Sequence, residues 1–181
     1  ASYGDLYQWG RAADGHQVIV RDAATPANFS TPPFGSSGTA AGPVASGSEG
    51  ATFITTSGSD WLITKDDVRW NTGTEIAPVK NITNDPCPTG YRIPTETELN
   101  TEHLDWTSDD VAGAMNSPLK LPLAGSRSRS NGALNDVGSY GYYWSSNVNS
   151  TDARTLFFGS SHAFMLSSSR AGGLSVRCIK D

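Results

Sequence analysis

The chain has 181 residues, 36% hydrophobic and 17% charged, which suits one globular domain with a buried core and excludes a disordered or coiled-coil chain. No apolar run approaches the roughly 20 residues of a membrane span, so no direct membrane insertion is expected, and Ala1-Ser-Tyr-Gly-Asp5 lacks the basic and apolar regions of a secretory signal. The net charge of −5 is uneven: residues 1–110 carry 6 basic and 15 acidic side chains, residues 111–181 carry 7 and 3. The two halves should attract. Arg127, Arg129, Arg154, Arg170 and Arg177 are scattered rather than clustered, which argues against a nucleic-acid partner.

Asp5-Leu-Tyr-Gln-Trp-Gly-Arg11 and Gln17-Val-Ile-Val-Arg21 read as short strands. From about 22 to 50 the chain is Ala, Thr, Pro, Ser and Gly, with no periodic apolar face, and is expected to be one long surface loop. Ala51-Thr-Phe-Ile-Thr55 and a tryptophan-bearing stretch follow, and Trp61 and Trp70 are assigned to the core or to pinning loops. Pro94-Thr-Glu-Thr-Glu-Leu99 predicts a helix over about 96–104, because Thr95 can cap the amide of Glu98 while Glu98 reaches back. A second, short helix should follow Ser108-Asp109-Asp110 and stop before Asn116-Ser-Pro118. Beyond residue 118 the pattern is β: Leu119–Leu123 (an edge or bulge, given Pro122), Tyr140–Ser145, Ala153–Phe158, His162–Leu166 and Leu174–Ile179.

The chemistry that would mark an enzyme is thin. His16, His103 and His162 fall in no metal-binding pattern, and no catalytic Ser elbow, P-loop or dinucleotide fingerprint occurs. Glu98, Glu102 and His103 share the predicted helix and read as a solvated face. No catalytic residue, metal ligand or cofactor is assigned. Cys87 and Cys178 are the only cysteines, too few for a four-cysteine zinc site or a dense disulfide scaffold.

Asn84-Asp-Pro-Cys-Pro-Thr-Gly-Tyr-Arg-Ile-Pro-Thr-Glu-Thr-Glu98, together with Gly4–Arg11, Leu119–Gly125, Tyr142–Ser146 and Arg170–Cys178, resembles the Fibrobacter succinogenes major paralogous domain family over nearly the whole chain. The resemblance implies an α+β, C-type lectin-like fold of the formylglycine-generating-enzyme type: one domain over 1–181, with a small twisted antiparallel sheet, two short helices and long loops. It also implies a Cys87–Cys178 disulfide joining the first helix region to the last strand. Two departures matter. The sulfatase-modifying enzymes of that fold use a close cysteine pair, and the Ca²⁺-binding lectins use Glu-Pro-Asn or Gln-Pro-Asp and Trp-Asn-Asp motifs; neither set is present, so neither activity carries over. What remains implied is a binding module, because related domains are the variable proteins of diversity-generating retroelements, which rewrite ligand-contacting codons near the C-terminus of adhesins, lipoproteins and phage tail tips.

The residues at 147–174 support a binding reading without that likeness. A period of two sets Leu156 and Phe158 against Thr155, Phe157 and Gly159, and His162, Phe164 and Leu166 against Ala163 and Met165. Thr155, Phe157, Gly159, His162, Phe164, Leu166, Gly172 and Leu174 are expected to share one solvent-facing surface, with Leu156, Phe158 and Val176 buried and Ser167, Ser168 and Ser169 in an exposed loop. A second core layer over the same face is the competing expectation. Tyr142, Tyr143 and Trp144 are assigned to core pillars, and Arg154, Arg170 and Arg177 to framework ion pairs. Randomising the adenines of an Asn codon reaches every residue type on the face and in the serine triplet, but not Met165. The expected partner is a protein, or less favourably a glycan, receptor met at the cell surface (on a pilus tip or lipoprotein), extracellularly or on a phage virion. A structural spacer and an enzyme of the same fold are the alternatives.

Overall fold

The computed structural model describes residues 3–19 and 38–181. Most of the expected 22–50 loop lies outside the described residues, as do the last two positions of the expected Gln17–Arg21 strand; residues 17–19 form no strand. The described remainder of the loop is more ordered than its composition suggests. Thr39–Ala41 (β2) pairs in parallel with Phe53–Thr55 (β3), and Val44 bridges Leu62.

Among the described residues the architecture is mixed α and β, with small sheets, two short helices and no barrel. Tyr7–Gln8 (β1) belongs to a four-stranded sheet with Ser126–Arg127 (β5), Leu134–Asn135 (β6) and Gly173–Leu174 (β10), in the order β1-β10-β5-β6. Tyr91–Arg92 (β4) pairs with Ile179–Lys180 (β11). Gly141–Asn149 (β7), Asp152–Phe158 (β8) and Ala163–Ser169 (β9) form an antiparallel meander in sequence order.

Glu96–Leu104 (α1) starts where the capping box places it. The Thr95 hydroxyl accepts the Glu98 amide at 3.3 Å, and Glu98 accepts the Thr95 amide at 2.8 Å. Val111–Asn116 (α2) is capped by Asp110, which accepts the Ala112 and Gly113 amides. The strand expected over 119–123 does not form. Lys120 is left-handed (φ 52°) and Pro122 has no amide to donate, so the segment instead buries Leu121 in the core.

The meander is covered on one face and over one end of the other. On one, Tyr143, Leu156 and Phe158 pack with Leu99, Ala114 and Leu121, placing α1 and α2 against the sheet. On the other, Trp144, Ala153 and Leu174 join Trp9, Trp70, Cys87 and Ile93. The indole N–H groups of this layer, and that of Trp61 in a neighbouring cluster, are satisfied by main-chain carbonyls: Trp9 on Ser145 at 3.0 Å, Trp61 on Trp9 at 2.8 Å, Trp70 on Asn84 at 3.0 Å and Trp144 on Tyr7 at 2.7 Å. These bonds tie β1, the 61–70 segment and the meander together without regular sheet pairing. Trp61 and Trp70 are thus core residues. Cys87 and Cys178 form a disulfide with Cα atoms 5.7 Å apart.

The attraction between the halves takes concrete form. Arg154 meets Glu96 at 2.6 Å, and the fully buried Arg170 meets Asp67 at 2.6 Å while lying over the Trp9 ring. Arg177 donates to the Lys120 carbonyl at 3.1 Å. Glu98 is not the solvated face its helix suggests: Arg92 grips both of its oxygens, at 2.7 and 2.6 Å, while His103 is buried with Nε2 3.1 Å from Asp109.

Candidate ligand-binding face

Alternation along β7, β8 and β9 brings Tyr142, Phe157 and Phe164 into one cross-strand row, since Tyr142 opposes Phe157 and Phe157 opposes Phe164. Phe157 is the hub. Its ring centroid lies 4.9 Å from Tyr142, 5.2 Å from Tyr140 and His162, and 5.3 Å from Phe164. His162 also faces Phe164 at 5.8 Å and Tyr140 at 6.2 Å. The outermost ring, Phe164, is 46% exposed. The result is a five-ring platform on the outer face of the sheet, built on a hairpin whose Gly159 amide donates to the His162 carbonyl at 2.9 Å. Burial, and then the neighbouring Asp136, pushes the Tyr142 hydroxyl up to about 12.

Next to the platform lies an open groove of about 430 Å³, lined by Ser126–Ser130, Tyr142, Ser168, Ser169, Gly172 and Leu174. Tyr142 is shared by both. Its volume falls in the range of small-ligand clefts, and its wall is dominated by hydroxyls, with exposed Arg129 as a cationic group.

The residues singled out from sequence divide accordingly. Phe157, His162, Phe164 and Leu166 are at least partly exposed on the outer face, and Ser168, Ser169 and Gly172 line the groove. Three expectations of exposure fail. Thr155 is 0% and Leu174 5% exposed, because β8 is the central strand and this end of it lies beneath the tryptophan layer that contains Trp144, Ala153 and Leu174. Gly159 is buried too; a Cβ there would sit 2.9 Å from the Tyr140 ring, so it acts as the seat of that ring. Among the described residues the second core layer is therefore real over one end of the face and absent from the other. Ser167, Ser168 and Ser169 are not a loop but the end of β9, and Ser167 faces away from the platform, accepting from Arg154 and Asn149, each at 3.0 Å. Val176 is only partly buried, whereas Leu156 and Phe158 are fully buried as expected.

Sequence reasoning missed Tyr140 and misassigned Tyr142, which belongs to the platform while Tyr143 and Trp144 are buried. The signal was present in the two-residue spacing of Tyr140 and Tyr142, but it becomes informative only once the β7–β8 register sets Tyr142 opposite Phe157. The serines at 126, 128 and 130 were also missed, since a turn-rich stretch carries no mark of lining a groove.

Among the described residues no group of three or more His, Cys, Asp or Glu side chains is placed to hold a metal ion, and no helix is long and apolar enough to cross a membrane. No family model matches the chain, and neither a curated protein nor a solved structure matches it.

Proposed function

We propose that this chain is a non-catalytic recognition domain of the C-type lectin-like class, displayed outside a cell or on a phage particle, that binds a protein receptor through the five-ring platform and the adjoining groove. The observation that carries the reading is the cluster itself. Five aromatic side chains gathered on an outer sheet face, with Phe164 46% exposed, match the aromatic anchors of protein interfaces. The disulfide suits an oxidising, extracellular setting. Retroelement diversification is the origin proposed for the surface, restricted now to Phe157, His162, Phe164, Leu166, Ser168, Ser169 and Gly172. Sibling genes that differ at these codons while retaining Thr155 and Leu174 would support it, and siblings identical at all of them would count against it.

The test is binding of the isolated chain to bacterial and host surface proteins, comparing Phe164→Ala with Ile76→Ala, a change at a 93% exposed site outside the cluster. Loss of binding in the first alone is expected; equal binding by both would refute the platform as the contact surface. The serine-lined groove favours a second reading, a glycan ligand packing a sugar face on Tyr142 while the hydroxyls bond its edge. Competition by free saccharides would distinguish it.

A further inference from the structure

The β7-β8-β9 sheet has two edges that are treated very differently. Along β7, the Trp144 amide donates to Ser175 and the Ser175 amide to Tyr142, at 2.9 and 3.0 Å, so a passing segment covers part of that edge. Among the described residues no strand lies beyond β9. The Gly159-to-His162 bond sets the phase of the ladder. Counting along the unbroken 152–158/163–169 register, Phe164, Leu166 and Ser168 turn their backbone groups toward β8, and Ala163, Met165 and Ser167 turn theirs outward. The Ser169 carbonyl, next in the outward series, confirms the phase by accepting the Gly172 amide at 2.9 Å. Among the described residues no hydrogen bond reaches the backbone N–H or C=O of Ala163, Met165 or Ser167.

These outward groups repeat at roughly 6.8 Å, two strand residues apart, a spacing that another β-strand matches. Natural edges are ordinarily blunted by Lys, Pro, a bulge or inward charge. Ala163-Phe-Met-Leu-Ser-Ser-Ser169 has none of these, pairs without a bulge, and has all seven residues at least partly exposed.

We propose that β9 is a homotypic pairing edge: two copies of this chain join β9 to β9 antiparallel about a two-fold axis through Met165, making one six-stranded sheet. The strand's own sequence names the occupant. In that register Met165 meets Met165 of the second copy and Ala163 meets Ser167 as hydrogen-bonded pairs. Phe164 meets Leu166 twice, at the closer, non-hydrogen-bonded positions where apolar contact is strongest. The strand carries no charged side chain, so the symmetry sets no like charges opposite each other. An axis perpendicular to the sheet leaves both ring platforms on the same side, creating a bivalent face. The pairing does not depend on the receptor reading; only the value of bivalency does.

The test is the mass of the 181-residue chain by sedimentation velocity up to millimolar concentration, with two variants. Ser167→Pro removes an outward N–H that β8 does not use, so the fold should persist while the dimer is lost. Met165→Cys should form a disulfide-linked dimer under mild oxidation while Phe164→Cys does not, since only residue 165 meets itself; both native cysteines are already bonded to each other. A concentration-dependent dimer abolished by Ser167→Pro and cross-linked at 165 is the expected result. A monomer at every concentration, a dimer indifferent to Ser167→Pro, or equal cross-linking at 164 and 165 would overturn the proposal.

Discussion

The two ends of one sheet face have opposite fates. At one end Trp144, Thr155 and Ala153 are each 0% exposed beneath the tryptophan layer; at the other, Phe157 and Phe164 carry an open ring platform. Nothing in the alternation of β8 distinguishes the ends, since Thr155 and Phe157 occupy equivalent positions two residues apart. What differs is the chain laid over them: β10 brings Leu174 into the layer over the Thr155 end, held from the far side by Trp9, Trp70 and Cys87. An apolar sheet face is a core or a binding surface according to what the rest of the fold places above it.

The largest test of the covered end is removal of the disulfide. Replacing Cys87 and Cys178 by Ala releases a loop of 91 positions, and the chain-entropy model gives about 4 to 5 kcal/mol of lost stability, measurable by urea unfolding of wild type and double variant. Trp144→Ala should cost about 3 to 5 kcal/mol, for the lost packing and for the Tyr7 carbonyl left without its indole donor. A cost under about 1 kcal/mol would show the two ends to be energetically alike.

The covered end should also respond to pH through His16, which is fully buried beside β1. Its Nε2 accepts the Gln8 amide at 3.0 Å and its Nδ1 lies 2.6 Å from Asp14. Burial, reinforced by Arg11 and Arg127 against the opposing pull of Asp14, lowers its pKa from 6.5 to about 4. A histidine depressed in the folded state is protonated first in the unfolded chain. Stability should therefore be constant above about pH 6.5 and fall progressively toward pH 4, by about 3 kcal/mol in all, then level off as far as this group is concerned. Unfolding free energies of wild type and His16→Gln across pH 4–8 check this; the variant should be less stable at neutral pH and lack this slope.

At the open end the smallest stability effect should accompany the largest functional one. Phe164→Ala should shift stability by less than about 0.5 kcal/mol, as for a surface substitution, while removing receptor binding. A several-kilocalorie loss would mean that the platform is a stabilising cluster rather than a contact surface.

Local chemistry was legible in the sequence where a few neighbouring residues decide the outcome. The capping box at Thr95–Glu98 starts α1 at Glu96, and Asp110 starts α2, because each satisfies amides within three residues of itself. The presence of strands near 140–145, 153–158 and 162–166 followed from period-two alternation, and the burial of Leu156 and Phe158 with it. The fate of Thr155, Gly159 and Leu174 was not legible. Nor was the place of Tyr142 in the platform, the groove under Ser126–Ser130, or the unpaired edge of β9. Each depends on contacts between residues far apart in the chain. Alternation tells which side chains share a face, but whether that face meets Trp9 and Trp70 or solvent is settled only when the long connections close and the layers stack.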